Sequence, residues 1–166
     1  MSDRVRIIET GSRLWTDRQT LREALFAIAR EVGGLHRVLL VHGDCPATDS
    51  RTPGADQLAA EWAADNYGQG VKAEAHPADW DSCTWDCPRG HRVRKKPGDT
   101  VHPGLLDDYC PGAGPRRNAE MVNLGAVRML AFPLPSSRGT WNAVRLAKAA
   151  GIVVRQYTPS TKAGIR

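Results

Sequence analysis

The sequence has no apolar run approaching the roughly 18–20 residues of a membrane span. Its start, Met-Ser-Asp-Arg, is polar and carries no signal peptide, which makes the cytoplasm the expected compartment. Two nucleotide signatures are missing: there is no GxxxxGK[ST] and no GxGxxG. Gly112-Ala113-Gly114 lies outside any strand–turn–helix context and does not replace them. No internal repeat and no low-complexity tract interrupts the chain. Only four cysteines occur, and a cytosolic compartment disfavours pairing them as disulfides.

What is present fits one globular unit. The chain has 166 residues, 41% hydrophobic and 25% charged, enough to bury a core and too apolar for disorder. Formal net charge is +5, which suits either nucleic acid or a phosphorylated small molecule. Part of the excess sits in one run, Arg89–Lys96, with five cationic residues and no acid. Such a run is ordinarily a solvated loop.

The apolar pattern alternates between strand and helix. Strands are expected over 5–10, 38–41, 71–75, 127–132 and 152–154, several of them short continuous apolar runs of the kind covered on both faces. Helices are expected over 17–32, 55–66, 115–124 and 140–150. Asp17 is placed to cap the first, and Leu21, Leu25, Ile28 and Val32 give it one apolar stripe. Gly33-Gly34 and Gly151 stop two of the helices. This order predicts a Rossmann-like α/β three-layer sandwich around a mainly parallel sheet. The expected division is one domain over 1–157, an irregular insertion over 81–113, and a polar tail over 158–166.

Ligands of such sheets bind beyond the carboxyl ends of the strands. The residues there are Gly11-Ser12-Arg13, His42-Gly43-Asp44, Gly54-Ala55-Asp56, Arg116-Arg117-Asn118 and Ser137-Arg138-Gly139-Thr140. Two of these loops carry arginine at the mouth of a helix, an arrangement suited to phosphate. Arg13, Arg117 and Arg138 are expected to grip phosphate, with hydroxyls from Ser12, Ser137 and Thr140. Asp44 and Asp56 suit a ribose hydroxyl. Trp15, Trp80 and Trp141 lie in or beside these loops and are read as packing residues, with base stacking by one of them as the alternative.

The insertion carries Cys83, Cys87, His91 and Cys110. Their spacing fits a zinc ligand set, and the segment has few apolar residues with which to fold on its own. Four ligands leave no open position, so a structural Zn2+ is expected. His102 is the rival fourth ligand to His91.

Together the strand-end motifs, with Trp15, Cys45, His76-Pro77-Ala78-Asp79-Trp80, Gly114-Pro115 and Met121, resemble the SLOG superfamily over roughly Val5 to Val154, interrupted by the middle insertion. The similarity is greatest to its YspA/cpYpsA-related branch, the DUF2493 domain of actinobacteria and their phages. The resemblance implies a domain that binds a nucleotide or nucleotide-derived ligand, ADP-ribose-like or a nucleoside phosphate, as a sensor or ligand-processing unit. It also implies a homo-oligomer, often a dimer. Relatives include the LOG phosphoribohydrolases and the nucleic-acid-binding DprA. An N-glycosidic hydrolase and a DprA-like module are therefore the alternative functions.

The LOG likeness is partial. Arg117-Asn118-Ala119-Glu120-Met121 matches an Arg-Lys…Met motif except at Asn118, and Ser136–Thr140 matches a PGGxGTxxE-like loop only at Gly139-Thr140. The catalytic glutamate of that loop has no counterpart in Trp141-Asn142-Ala143. Arg117, Glu120 and Asp44 are the candidate catalytic substitutes, with Asp56 beside them.

Overall fold

The computed structural model describes residues 3–160. In chain order the elements are strand β1 (Val5–Gly11), helix α1 (Arg18–Glu31), β2 (Val38–His42), α2 (Gly54–Asp65) and β3 (Lys72–Ala75). There follow β4 (Val93–Arg94), β5 (Asp108–Tyr109), α3 (Ala113–Asn123), β6 (Arg128–Phe132), α4 (Arg138–Ala149) and β7 (Val153–Gln156). Residues 161–166 of the expected polar tail lie outside the described residues.

Five strands form one parallel sheet in the order β3-β2-β1-β6-β7. The chain moves outward from β1 to β3, then returns to the other side of β1 and moves outward again. This reversal puts α1 and α2 on one face and α3 and α4 on the other. Alternation along β1 serves both layers: Ile7 packs with Leu21, Leu25 and Trp62, and Ile8 with Met121, Met129 and Val144. The result is the expected α/β sandwich.

Local signals explain most boundaries. Asp17 caps α1 by accepting from Thr20 N at 3.0 Å. Gly33 and Gly34 adopt positive φ after α1, and Gly151 does so after α4. Helix α3 begins two residues before the expected Pro115, because Ala113 N donates to the Cys110 carbonyl at 3.0 Å and starts the turn early. The insertion is not wholly irregular. Val93–Arg94 pairs antiparallel with Asp108–Tyr109, a two-residue ribbon too short to leave a periodic trace.

The reversal of strand order lies between β1 and β6. The loops that leave these neighbours diverge, and a crevice opens beyond their carboxyl ends.

Candidate functional site

A cleft of about 580 Å³ occupies that crevice. Its floor is the end of β1 and the segment after it. One wall is the start of α4, the second is α3, and the third is Trp80, just before the insertion, with His102 of the insertion. Of the expected ligand residues, Gly11, Ser12, Arg13, Gly43, Asp56, Arg117, Asn118, Ser137, Arg138, Gly139 and Thr140 line it, and Asp44 does not. Asp44 is exposed, in a left-handed turn at φ 50°.

The cations differ in availability. Arg117 donates through Nη1 to the Gly43 carbonyl and to the His76 carbonyl at 3.1 Å, and through Nε to Asn118 Oδ1 at 3.0 Å. Its guanidinium thus ties α3 to the ends of β2 and β3. Glycine at position 43 leaves room for that guanidinium, which a Cβ would displace. Arg116 points away from the cleft: Nη2 donates to the Ser82 carbonyl at 2.8 Å, and Nη1 lies 3.6 Å from Cys87 and Cys110 Sγ. By contrast, Arg13 and Arg138 have no hydrogen-bonded or ion-pair partner among the described residues, and both face the cleft. Arg13 lies over the Trp80 ring at 6.0 Å.

The helix ends differ too. The start of α2 is closed by the Ser12 carbonyl, which accepts from Ala55 N at 3.0 Å. The start of α3 is covered by Trp80 against Gly114. Helix α4 opens on the cleft. Ser137 caps the turn before it by accepting from Leu134 N at 2.9 Å, and the Gly139 and Thr140 N–H groups of its first turn have no carbonyl within the helix. Asn118 steadies this end, donating to Asn142 Oδ1 at 3.0 Å and to the Gly139 carbonyl at 3.2 Å. The outcome is an anion-favouring corner at the start of α4, in a cleft that two available guanidinium groups also line.

Beneath the cleft, and not lining it, lies a group that sequence reasoning missed. Glu9 is completely buried on β1, and no N–H reaches either carboxyl oxygen. Burial first, then the Asp56 carboxyl group beside it, raises its pKa well above the ordinary value, against the pull of Arg117. Glu9 can therefore hold a proton and donate to Asp56. Asp56 in turn accepts from Cys45 N at 3.0 Å. The signal was a lone acid inside a strand expected to be covered on both faces.

Other groups near the floor are quiet. Burial, then the nearby Asp56, pushes the Cys45 thiol up to about 11, so it is no thiolate nucleophile at neutral pH. Burial lowers the His42 pKa, and its Nδ1 accepts from Asp44 N at 3.2 Å. Glu120 is exposed and meets His76 Nδ1 at 3.1 Å, away from the cleft. Trp15 is buried against Phe132 in the core and Trp141 stands at the surface, so Trp80 is the tryptophan of the three that borders the cleft.

Beside the cleft, the ligand atoms of Cys83, Cys87, His91 and Cys110 lie within 4.8 Å of one another. Cys87 and Cys110 Sγ are 3.7 Å apart, near the roughly 3.8 Å edge of a tetrahedron with metal–sulfur bonds of about 2.3 Å. His91 Nε2 is 3.2 Å from both Cys83 and Cys110 Sγ. Its Nδ1 faces the Pro88 carbonyl at 2.6 Å, which fixes the proton on Nδ1 and turns the Nε2 lone pair inward. Arg92 donates to Cys83 Sγ at 3.0 Å, and Arg116 approaches two of the sulfurs. Three thiolates around a divalent ion leave one net negative charge, which these guanidinium groups offset. All four cysteines are free thiols. This set can hold a metal ion. His102 is not part of it and lines the cleft instead.

The sequence has counterparts. Residues 5–82 match the YspA, cpYpsA-related SLOG family. The chain is also 35% identical over 158 residues to the Gene 61 protein of Mycobacterium phage D29, covering 92% of this chain and 95% of that protein. The chain belongs to the YspA, cpYpsA-related SLOG family, and that membership suggests a nucleotide-related function. Among the described residues, no helix is long and apolar enough to cross a membrane.

Proposed function

We propose that the cleft binds a nucleotide or nucleotide-derived ligand, ADP-ribose-like or a nucleoside phosphate, and serves as a sensor or ligand-processing site. The observation that carries this reading is that Arg13, Arg138 and the open first turn of α4 line one cleft. Phosphate supplies the charge and the acceptor atoms that such a corner lacks. Asp56, at the floor, is suited to accept from a ribose hydroxyl. Arg117 acts as a structural tie that sets the wall, rather than as the principal phosphate grip.

The metal is zinc in a structural role. A Cys3His set favours Zn2+ and leaves no coordination position for a substrate. It fastens the insertion, and through Cys110 N, which donates to the Trp80 carbonyl at 2.9 Å, it fixes the third wall. Metal analysis of the purified chain and a thermal-shift series with AMP, ADP-ribose, cyclic ADP-ribose and NAD test the two parts separately. Stabilisation by none of the four nucleotides would count against the ligand reading.

A further inference from the structure

His102 was legible in the sequence only as a spare metal ligand. In the fold it borders the cleft, held from three sides. Its Nδ1 faces Asp99 Oδ2 at 2.8 Å. One ring face stacks on Tyr109 with centroids 3.6 Å apart, and the Trp80 ring stands perpendicular to it with centroids 4.6 Å apart. Asp99 is itself fixed: its Oδ1 accepts from Val101 N at 2.8 Å and from His102 N at 3.1 Å. Tyr109 precedes the metal-ligating Cys110, so the insertion's fastening and this aromatic group are continuous in the chain.

The hydrogen bonding decides what His102 offers. A carboxylate only accepts, so the ring proton of neutral His102 resides on Nδ1. Nε2 is then a bare lone pair with no protein partner among the described residues. A lone pair opposes a phosphate oxygen, which also only accepts. It welcomes an N–H donor, and its aromatic surroundings suit a planar heterocycle.

We propose that His102 is the base-reading residue of the cleft, accepting through Nε2 from the exocyclic amino group of an adenine- or cytosine-type base. This rests on the reading of the cleft as a nucleotide site. Phosphate is held at the start of α4, and the base lies under the insertion. The insertion is thus the specificity element, and Asp99 is a positioning residue that acts by fixing the tautomer.

Asp99→Asn gives the decisive test. Oδ1 stays on its two backbone N–H donors, so the new amide nitrogen faces His102 Nδ1 and donates to it. The ring proton then moves to Nε2, which becomes a donor. AMP and IMP differ at the relevant position by an amino group against a carbonyl oxygen. The metal-loaded wild type is expected to bind AMP at least about tenfold more tightly than IMP, since the wrong base leaves a buried polar group unpaired. In Asp99→Asn the preference reverses, and in His102→Ala the two nucleotides bind alike. Imidazole 15N shifts report the tautomer without any ligand and are expected to show Nε2 unprotonated in the wild type and protonated in Asp99→Asn. Equal affinity of the wild type for AMP and IMP, or the same AMP preference in Asp99→Asn, overturns the proposal and leaves the nucleotide reading standing. Failure of AMP, IMP and ribose 5-phosphate alike to bind the wild type overturns both.

Discussion

Arg117 on α3 donates to the carbonyl oxygen of Gly43, the first residue after β2. The bond joins an element on one face of the sheet to the strand ends that bound the cleft, and Arg117 also lies within the field of the buried Glu9. Arg117→Ala is expected to lower stability by about 2–4 kcal/mol, because it strips a charged donor from two carbonyls and from Asn118 Oδ1. Urea denaturation measures it. A loss confined to ligand binding would return Arg117 to the role of phosphate grip.

Arg138→Ala should do the opposite. The side chain is exposed and has no partner among the described residues, so stability should change by no more than about 0.5 kcal/mol. Affinity for a phosphorylated nucleotide should fall by about tenfold or more, the scale of one charge-assisted hydrogen bond. Arg13→Ala should show a similar loss, with a small added destabilisation from its contact with Trp80. Calorimetric titration with ADP-ribose checks both, and unchanged affinity in both variants would remove this corner from the site.

Glu9 makes stability depend on pH. The folded chain keeps a proton that the unfolded chain releases above the ordinary value of 4.5. Its contribution is therefore complete below that value and is lost as pH rises toward the raised folded pKa. Glu9→Gln retains a donor for Asp56 and cannot ionise. The variant is expected to match the wild type near pH 4 and to be the more stable of the two at pH 8. Parallel stability curves for the two proteins would mean that Glu9 is ionised in the fold.

Much of the fold is legible in the sequence, for physical reasons. Short continuous apolar runs such as Val38–Val41, bounded by turn residues, have the length of strands covered twice, and glycines 33, 34 and 151 stop helices by adopting positive φ. Those signals fix the sandwich, and the sandwich gathers the strand-end loops. Cysteine spacing was equally readable, because ligand geometry constrains sequence directly. Side-chain reach is not written in sequence. Arg116 and Arg117 are neighbours of one type, yet one turns to the sulfurs and the other to Gly43. The same limit hid the pairing of Asp99 with His102 and the burial of Glu9, which depend on what the other layer brings against them.

The metal should hold the insertion and not the sheet. Cys83→Ser, or chelation, is expected to remove stoichiometric zinc and to open residues 81–113 to limited proteolysis, while the parallel sheet stays folded. Nucleotide affinity should fall with it, since Trp80 and His102 lose their support. Metal analysis, protease mapping and circular dichroism read the three effects. Full zinc content in Cys83→Ser would contradict the ligand set.

The proposed phosphate grip is the open end of α4, with Arg13 and Arg138. Calorimetric titration of the zinc-loaded protein with AMP and with adenosine tests it most directly. Saturable binding of AMP, with adenosine at least about tenfold weaker, is the predicted result. Equal binding of the two, or no binding of AMP or ADP-ribose, would contradict it.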